Sequence, residues 1–370
     1  MCPAQKEYFQ MIDWLNSLNE NKIIPGLERI EKLMNLLGNP QNDINLIIVG
    51  GTNAKGSTCF NLENNFSKNG IEVGCFTSPH IHSVRERIRI GKEKINIKDF
   101  TILMMEIKKI VIESKIEATY FEILTALSYL YFYNKKLKYA IMEIGLGGEW
   151  DAVNIGNAKI AILTTLGIDH VEYLGDNLDS IADTKAKIVR DESIVITGWK
   201  DEYQNYIPKC KIIYHGNSIQ EWVKLSMKAL KLEYFDEKIS IPGRLEKANS
   251  FLLDCAHNPQ AIEHLLSYDN DYSKIIIGMM SDKDCKNILD LLPKESEILL
   301  CKLKTPRSAE TDYLVNICNK IGINYVELGF RNPDKTNLMG ENAYTTDTYL
   351  NKFKIPKDIQ VGVMVNASDL

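Results

Sequence analysis

The chain has 370 residues, 45% hydrophobic and 25% charged, which excludes a disordered or fibrous protein and predicts two globular domains or one large one. Its net charge of −5 argues against nucleic acid as the main partner, and no apolar run approaches the roughly 20 residues that cross a bilayer. Eight scattered cysteines without a Cys-x-x-Cys pair, and no leader-like N-terminus, read as reduced thiols in a cytoplasmic protein.

Residues 5–37 carry two helical patterns either side of Pro25-Gly26: Tyr8, Ile12, Leu15 and Leu18, then Leu27, Ile30, Leu33 and Leu36. Gly38-Asn39-Pro40 stops the second. The apolar run Ile47-Ile48-Val49 then enters Gly50-Gly51-Thr52-Asn53-Ala54-Lys55-Gly56-Ser57 and an amphipathic segment over 58–69. Read physically, this is strand, loop and helix. Backbone N–H groups and the helix N-terminus favour an anion, the lysine adds a full charge, and the serine stands where such loops hold magnesium. The usual spacing is not met, because Ala54 precedes the lysine, Gly56 separates it from Ser57, and Val49 takes the early glycine position. By itself the pattern leaves open a nucleotide site or an ordinary strand-to-helix turn.

A strand over 72–77 ends on Ser78-Pro79-His80, a β-like piece follows over 85–90, and helices are predicted over 98–115 and 119–134. Tyr139-Ala140-Ile141-Met142 ends on Glu143 and reads as a strand buried on both faces of a parallel sheet. Strands over 160–165, 193–197 and 211–214 alternate with helices over 177–190, capped by Asp176 or Asn177, and 219–231. Ile241-Pro242-Gly243-Arg244 reads as a linker, so the expected domains are 1–240 and 245–370. In the second, strands over 251–254, 274–280, 298–303, 325–328 and 359–365 alternate with helices over 260–268, 283–292 and 309–321, with a loosely patterned polar stretch from 330. The expected fold class is α/β: a P-loop-type, doubly wound domain followed by a smaller Rossmann-like domain.

Polar residues fall at the strand ends. Ser78 and His80, Glu143, and Asp169-His170 each follow an apolar strand, and in a parallel sheet these ends share one edge with the loop. Glu143 stands where nucleotide-binding sheets place an acidic magnesium partner, and hard oxygens with one imidazole suit magnesium or manganese. Each residue alone reads more readily as structural; their grouping around one loop is the functional signal.

These residues carry a resemblance. Gly51-Thr52-Asn53-Ala54-Lys55-Gly56-Ser57 resembles the Gly-Thr-Asn-Gly-Lys-Gly-Ser loop of the folylpolyglutamate synthase and dihydrofolate synthase family, in the Mur ligase superfamily. Thr77-Ser78-Pro79-His80 with Val84-Arg85-Glu86-Arg87-Ile88-Arg89-Ile90, and Glu143-Ile144-Gly145-Leu146-Gly147-Gly148 with Asp151-Ala152-Val153-Asn154, are similar to its next signatures. Leu166-Gly167-Ile168-Asp169-His170, Ile181-Ala182-Asp183-Thr184-Lys185-Ala186, Pro242-Gly243-Arg244 and Asp254-Cys255-Ala256-His257-Asn258-Pro259 continue it in order over about residues 25–310.

The resemblance implies an ATP-dependent ligase that phosphorylates a folate or dihydropteroate carboxylate and joins it to the amine of L-glutamate. It implies Lys55, Lys185 and His257 as catalytic residues, and Gly51, Thr52, Asn53, Lys55, Gly56, Ser57, Arg244 and Asp254 around ATP. Ser57, Ser78 and Glu143 match one magnesium ion, and His170 and Lys185 with Glu143 a second, with carbamylation of Lys185 converting it into an oxygen ligand. Tyr120, Phe121 and Asp151 match the folate side, though Tyr120 and Phe121 read equally as core. The implied partners are small molecules, with no nucleic acid and no membrane, and the expected state is a monomer.

Four departures bear on this reading. Ala54 replaces a family glycine, Glu149 replaces an arginine, Lys187 replaces a glycine, and the family's adenine-contact segment is missing or degenerate at Ser218-Ile219-Gln220-Glu221-Trp222-Val223. If Ala54 needs positive φ, it carries strain of about 1 kcal/mol. A divergent, non-catalytic nucleotide-binding relative is the alternative.

Overall fold

The computed structural model describes residues 3–18, 23–248, 251–268, 272–303, 307–327 and 361–364. They fall into two compact units, Met1–Ile239 and Ser240–Leu370. The polar stretch from 330, residue 328, the ends of the last expected strand at 359–360 and 365, and the Val365-Asn366-Ala367-Ser368 terminus lie outside the described residues.

In the first unit, strands β1 (Asn45–Gly50), β2 (Gly74–Phe76), β3 (Ile88–Ile90), β4 (Glu93–Lys94), β5 (Tyr139–Glu143), β6 (Ala158–Leu163), β7 (Ile194–Thr197) and β8 (Ile212–His215) form one sheet in the order β4-β3-β2-β5-β1-β6-β7-β8. From β2 to β8 all neighbours are parallel, and β3 and β4 add an antiparallel edge. The sheet is doubly wound: from β1 the chain first builds one side through β2 and β5, then crosses to β6. Such a reversal opens a crevice at the carboxyl ends of the central strands.

Period-two alternation sends successive residues of each central strand into different cores. Leu46 and Ile48 of β1, Ala140 and Met142 of β5, and Ala161 and Leu163 of β6 enter one. Ile47 and Val49, Tyr139 and Ile141, and Ile160 and Ile162 enter the other. Helices α1 (Pro3–Ser17), α2 (Glu28–Leu36), α4 (Ile97–Glu113) and α5 (Tyr120–Asn134) contribute to the first core, while α3 (Lys55–Lys68) and α8 (Ile219–Leu230) close the second. Two short helices, α6 (Val171–Leu174) and α7 (Leu178–Ala186), lie between β6 and β7. None of the described helices is long and apolar enough to cross a membrane.

The second unit holds β9 (Glu246–Ala248), β10 (Phe251–Asp254), β11 (Lys274–Ile277), β12 (Glu297–Leu300), β13 (Tyr325–Glu327) and β14 (Val361–Met364), in the order β13-β12-β11-β14-β10-β9. Only β9 is antiparallel to its neighbour, and the helices are α9 (Pro259–Tyr268), α10 (Cys285–Leu291) and α11 (Thr311–Ile321).

Three expectations are corrected. Of the β-like piece expected over 85–90, residues 85–87 are not β: Val84–Arg87 is a single 3-10 turn, because the Ser83 hydroxyl accepts the Arg85 N–H while the Glu86 carboxylate takes the N–H groups of Ile81, His82 and Ser83. The helix expected to reach residue 190 ends at Ala186, where the Val189 N–H turns back to the Ala186 carbonyl. The strand expected over 274–280 stops at Ile277, and Met280 instead makes an isolated bridge to Ser308.

Tyr129 of α5 ties the first core to the loop after β5: its buried hydroxyl donates to the Val153 carbonyl at 2.8 Å. Replacing Tyr129 by Phe leaves that carbonyl only the longer bond from the Gly156 N–H, at 3.3 Å. The variant should lose about 0.5–1.5 kcal/mol, the net worth of one hydrogen bond, in urea unfolding with an unchanged m-value.

Candidate functional site

The loop after β1 is stapled to the segment after β6. The Thr52 N–H donates to the Thr165 carbonyl at 2.8 Å, and the Asn53 N–H to the Thr165 hydroxyl at 2.9 Å. The Thr164 hydroxyl donates to the Asn53 carbonyl at 2.7 Å, and the Thr52 hydroxyl both donates to and accepts from the backbone of Gly167, at 2.9 and 3.0 Å. Gly51 has φ +136°, and a Cβ there would lie 1.9 Å from the Thr164 hydroxyl oxygen, so both conformation and space demand glycine.

Ala54 is the N-cap of α3, in the left-handed region at φ 67° and without a side-chain cap. Lys55 opens the helix and folds back over the loop, its Nζ donating to the carbonyls of Gly51 at 3.0 Å and Thr52 at 3.1 Å. A second lysine arrives from α7: the buried Nζ of Lys185 donates to the same Gly51 carbonyl at 3.0 Å. Burial first, then the charge of Lys55, lowers the Lys185 amine to about 7, against the opposing pull of Asp169 and Asp151.

Glu143, at the end of β5, is 3% exposed. Its Oε2 accepts the Ser78 N–H at 2.9 Å, and a Cβ on Gly56 would lie 3.5 Å from the same oxygen. The structure therefore brings Ser78, Glu143 and the Gly56-Ser57 turn together at the expected sheet edge. Among the described residues, no group of three or more His, Cys, Asp or Glu side chains could hold a metal ion by itself. One carboxylate beside two serines instead suits magnesium that shares its coordination with substrate phosphates and water. His170 sits on the segment after β6, in the left-handed region at φ 51°, with its Nε2 3.7 Å from the Asp169 carboxylate.

The glycine-rich turn after Glu143 is seated on α7. Gly148 allows it, since a Cβ there would meet the Thr184 carbonyl at 2.7 Å, and the Glu149 N–H donates to that carbonyl at 3.1 Å. Asp151 holds the turn from within: its buried carboxylate accepts the N–H groups of Gly145, Leu146 and Val153 at 2.8–3.0 Å. Burial raises it to about 6, and these three bonds pull the other way. Tyr120 is buried beneath the Arg87 guanidinium, 5.5 Å from its ring, and Phe121 packs on Phe76 and over Gly145.

In the second unit, Asp254 ends β10 and its carboxylate accepts the N–H groups of Leu245 and Ala256, each at 2.8 Å. Burial raises it and the charge of Arg244 opposes that, so Arg244 and Asp254 share one end of this sheet. His257 follows, with Nδ1 2.9 Å from the Cys255 carbonyl; since a carbonyl only accepts, Nδ1 carries the proton. Lys187, one of the departures, pairs with Asp183 at 3.2 Å along α7. In the degenerate segment, Ser218 caps α8 and Trp222 is buried under Gly198.

Sequence reasoning missed Thr164 and Thr165, which shape the loop. Their only signal was a pair of hydroxyl residues ending an apolar strand, and it gains meaning only once β6 is known to pair with β1.

Strand, anion-type loop and helix, with a carboxylate on the neighbouring strand end, define a doubly wound α/β protein of the phosphate-loop class. The chain belongs to the Mur ligase middle domain family, whose profile matches residues 49–289. It is 25% identical over 388 residues to a probable bifunctional folylpolyglutamate synthase/dihydropteroate synthase of Haloferax volcanii, covering 87% of this chain and 46% of that one. It is 28% identical over 295 residues to the dihydrofolate synthetase of Saccharomyces cerevisiae, covering 78% of this chain and 65% of that one. The chain thus spans less than two thirds of either relative's length. E. coli FolC in complex with DHPP and ADP superposes with a TM-score of 0.79 at 24% identity, over 97% of this chain and 96% of that one, a likeness that speaks for the fold alone.

Two outcomes are expected of the unliganded protein. An L-residue in the left-handed region costs about 1–2 kcal/mol, and glycine gives back about half of that in chain entropy. Ala54→Gly should therefore raise unfolding free energy by about 0.5–1 kcal/mol, read from urea curves. Lys185 is lowered in the folded state to about 7 from its ordinary 10.5, so between those values the unfolded chain binds more protons. Stability should then rise with pH across that window in the wild type, by more than in Lys185→Met.

Proposed function

We propose that the chain is an ATP-dependent ligase that joins L-glutamate to the carboxylate of a folate or a dihydropteroate. The observation that carries this reading is the convergence of Lys55 and Lys185 on the Gly51 carbonyl, one strand away from the Ser78–Glu143 contact. Two amines aimed at one carbonyl, above a turn of backbone N–H groups at a helix N-terminus, make a receptor for a polyphosphate. The family membership and the folate-ligase relatives agree with it.

In this reading Gly51, Thr52, Asn53, Lys55, Gly56 and Ser57 cradle the phosphates of ATP, and Arg244 and Asp254 belong to the nucleotide by their match to the family. A carboxylate oxygen of the acceptor attacks the γ-phosphorus, and ADP departs. The amine of glutamate then attacks the acyl carbon, loses a proton and displaces inorganic phosphate. Lys55 leaves its backbone carbonyls for the phosphates and offsets charge that develops on the transferring group. Magnesium held by Ser57, Ser78 and Glu143 would supply further charge neutralisation on the phosphate oxygens. With its amine lowered to about 7, Lys185 is largely uncharged at slightly alkaline pH. Addition of carbon dioxide to that nitrogen, with loss of its proton, would turn it into a carbamate able to join His170 around a second ion. Tyr120, Phe121 and Asp151 remain the folate-side residues of the proposal, with Asp151 acting by shaping the Gly145-Leu146 turn. His257, its ring oriented by the Nδ1 bond to the Cys255 carbonyl, completes the set. A soluble, cytoplasmic monomer acting on small molecules fits the reading.

The test supplies ATP, magnesium and L-glutamate with either dihydropteroate or a reduced folate, and follows phosphate release and product mass. Glutamate-dependent turnover is expected, and Lys55→Ala should lower it at least about 100-fold. ATP binding without turnover on either acceptor would favour a non-catalytic relative and overturn the ligase.

A further inference from the structure

Behind the site lies a buried ion pair to which the proposed chemistry assigns nothing. Arg89 of β3 and Glu63 of α3 meet with Nε and Nη2 both 3.0 Å from Glu63 Oε2, and both side chains are almost wholly enclosed. The same guanidinium donates from Nη1 to the Thr77 hydroxyl at 2.8 Å and to the Glu86 carbonyl at 2.7 Å, and from Nη2 to Cys75 Sγ at 3.1 Å. Its face rests 4.0 Å from the centre of the Phe60 ring, which rides on α3. The second oxygen of Glu63 accepts the Lys92 N–H at 3.1 Å, at the turn between β3 and β4.

These bonds run between two parts of the site. Glu63 lies two turns along α3 from Lys55 and Ser57, on the helix that the loop opens. Thr77 immediately precedes Ser78, whose N–H donates to Glu143. The thiols of Cys59 on α3 and Cys75 on β2 are raised first by burial and then by the charges of Glu143 and Glu63, while Arg89 opposes them, so the ion pair and Glu143 act on the same two thiols. We infer that Arg89 is a positioning residue: by gripping Glu63 and Thr77 with one rigid fork, it sets the distance between the Ser57 turn and the Ser78–Glu143 strand ends, and so shapes the site for magnesium. Lysine cannot replace it, because one ammonium on a flexible stem does not reach carboxylate, hydroxyl and carbonyl in a fixed plane.

The inference rests on the reading of this site as one for nucleotide with magnesium, and the experiment separates the two. Binding of ADP to the full chain is measured by calorimetry with and without magnesium, alongside thermal unfolding, for wild type, Arg89→Lys, Thr77→Val and Tyr129→Phe. In the wild type magnesium should tighten ADP. In Arg89→Lys that tightening should shrink about 10–100-fold while magnesium-free affinity stays put, since residues that orient metal ligands act at this scale. Thr77→Val should move the same way by less. Tyr129→Phe, destabilised elsewhere, should keep the full magnesium effect. Should Arg89→Lys not fold, Thr77→Val decides alone. A full magnesium effect in a folded Arg89→Lys, or in Thr77→Val when that variant decides, overturns the positioning role and leaves the site reading intact. No magnesium effect in the wild type overturns both.

Discussion

The Gly51 carbonyl is the point on which the first unit is organised. It accepts from Lys55, which opens α3, and from Lys185, near the end of α7. Burial is the main cause that lowers Lys185, and repulsion between two amines around one acceptor adds to it. Close approach is possible because Gly51 carries no Cβ and because Thr164 occupies the space a side chain would need. The surrounding hydroxyl staples at Thr52, Thr164 and Thr165 hold the loop in this shape without any ligand.

Rigidity behind the loop has the same logic. An interior ion pair such as Glu63–Arg89 adds little net stability, yet breaking it by removing one partner costs about 3–5 kcal/mol. It therefore acts as a fixed distance rather than as a source of stability. Asp151 does comparable work on the other side of Glu143, spending a buried carboxylate on three N–H groups of the turn that packs against α7. A strand end, a helix start and a lysine from a distant helix meet at one edge because each is gripped by a polar side chain chosen for that place.

Much of this was legible in the sequence where the physics is local. The apolar runs through Ile47-Ile48-Val49 and Ile141-Met142 could only be strands covered on both faces, and the two separate cores confirm why neither run alternates. Glu143 was legible because a carboxylate ending such a run has no packing role. What was not legible depends on pairing between distant segments. Nothing near Thr164 says that β6 lies beside β1, and nothing near Arg89 says that its partner is Glu63 on another element. The 3-10 turn at Val84–Arg87 was missed because its cap, Ser83 with Glu86, lies within residues whose alternation looks like a strand. Positive φ at Ala54 was anticipated only as a condition, since an alanine there gives no sign of its own conformation.

Cys59 and Cys75 carry a practical consequence. Both thiols are fully enclosed between α3 and the sheet, and burial holds them well above their ordinary value, so neither presents a thiolate to solvent while the helix is seated. A thiol reagent reaches them only when α3 lifts from β2, which makes their rate of modification a clock for local opening at the phosphate loop. The molecule thus carries a built-in reporter of how tightly α3 is held against the sheet.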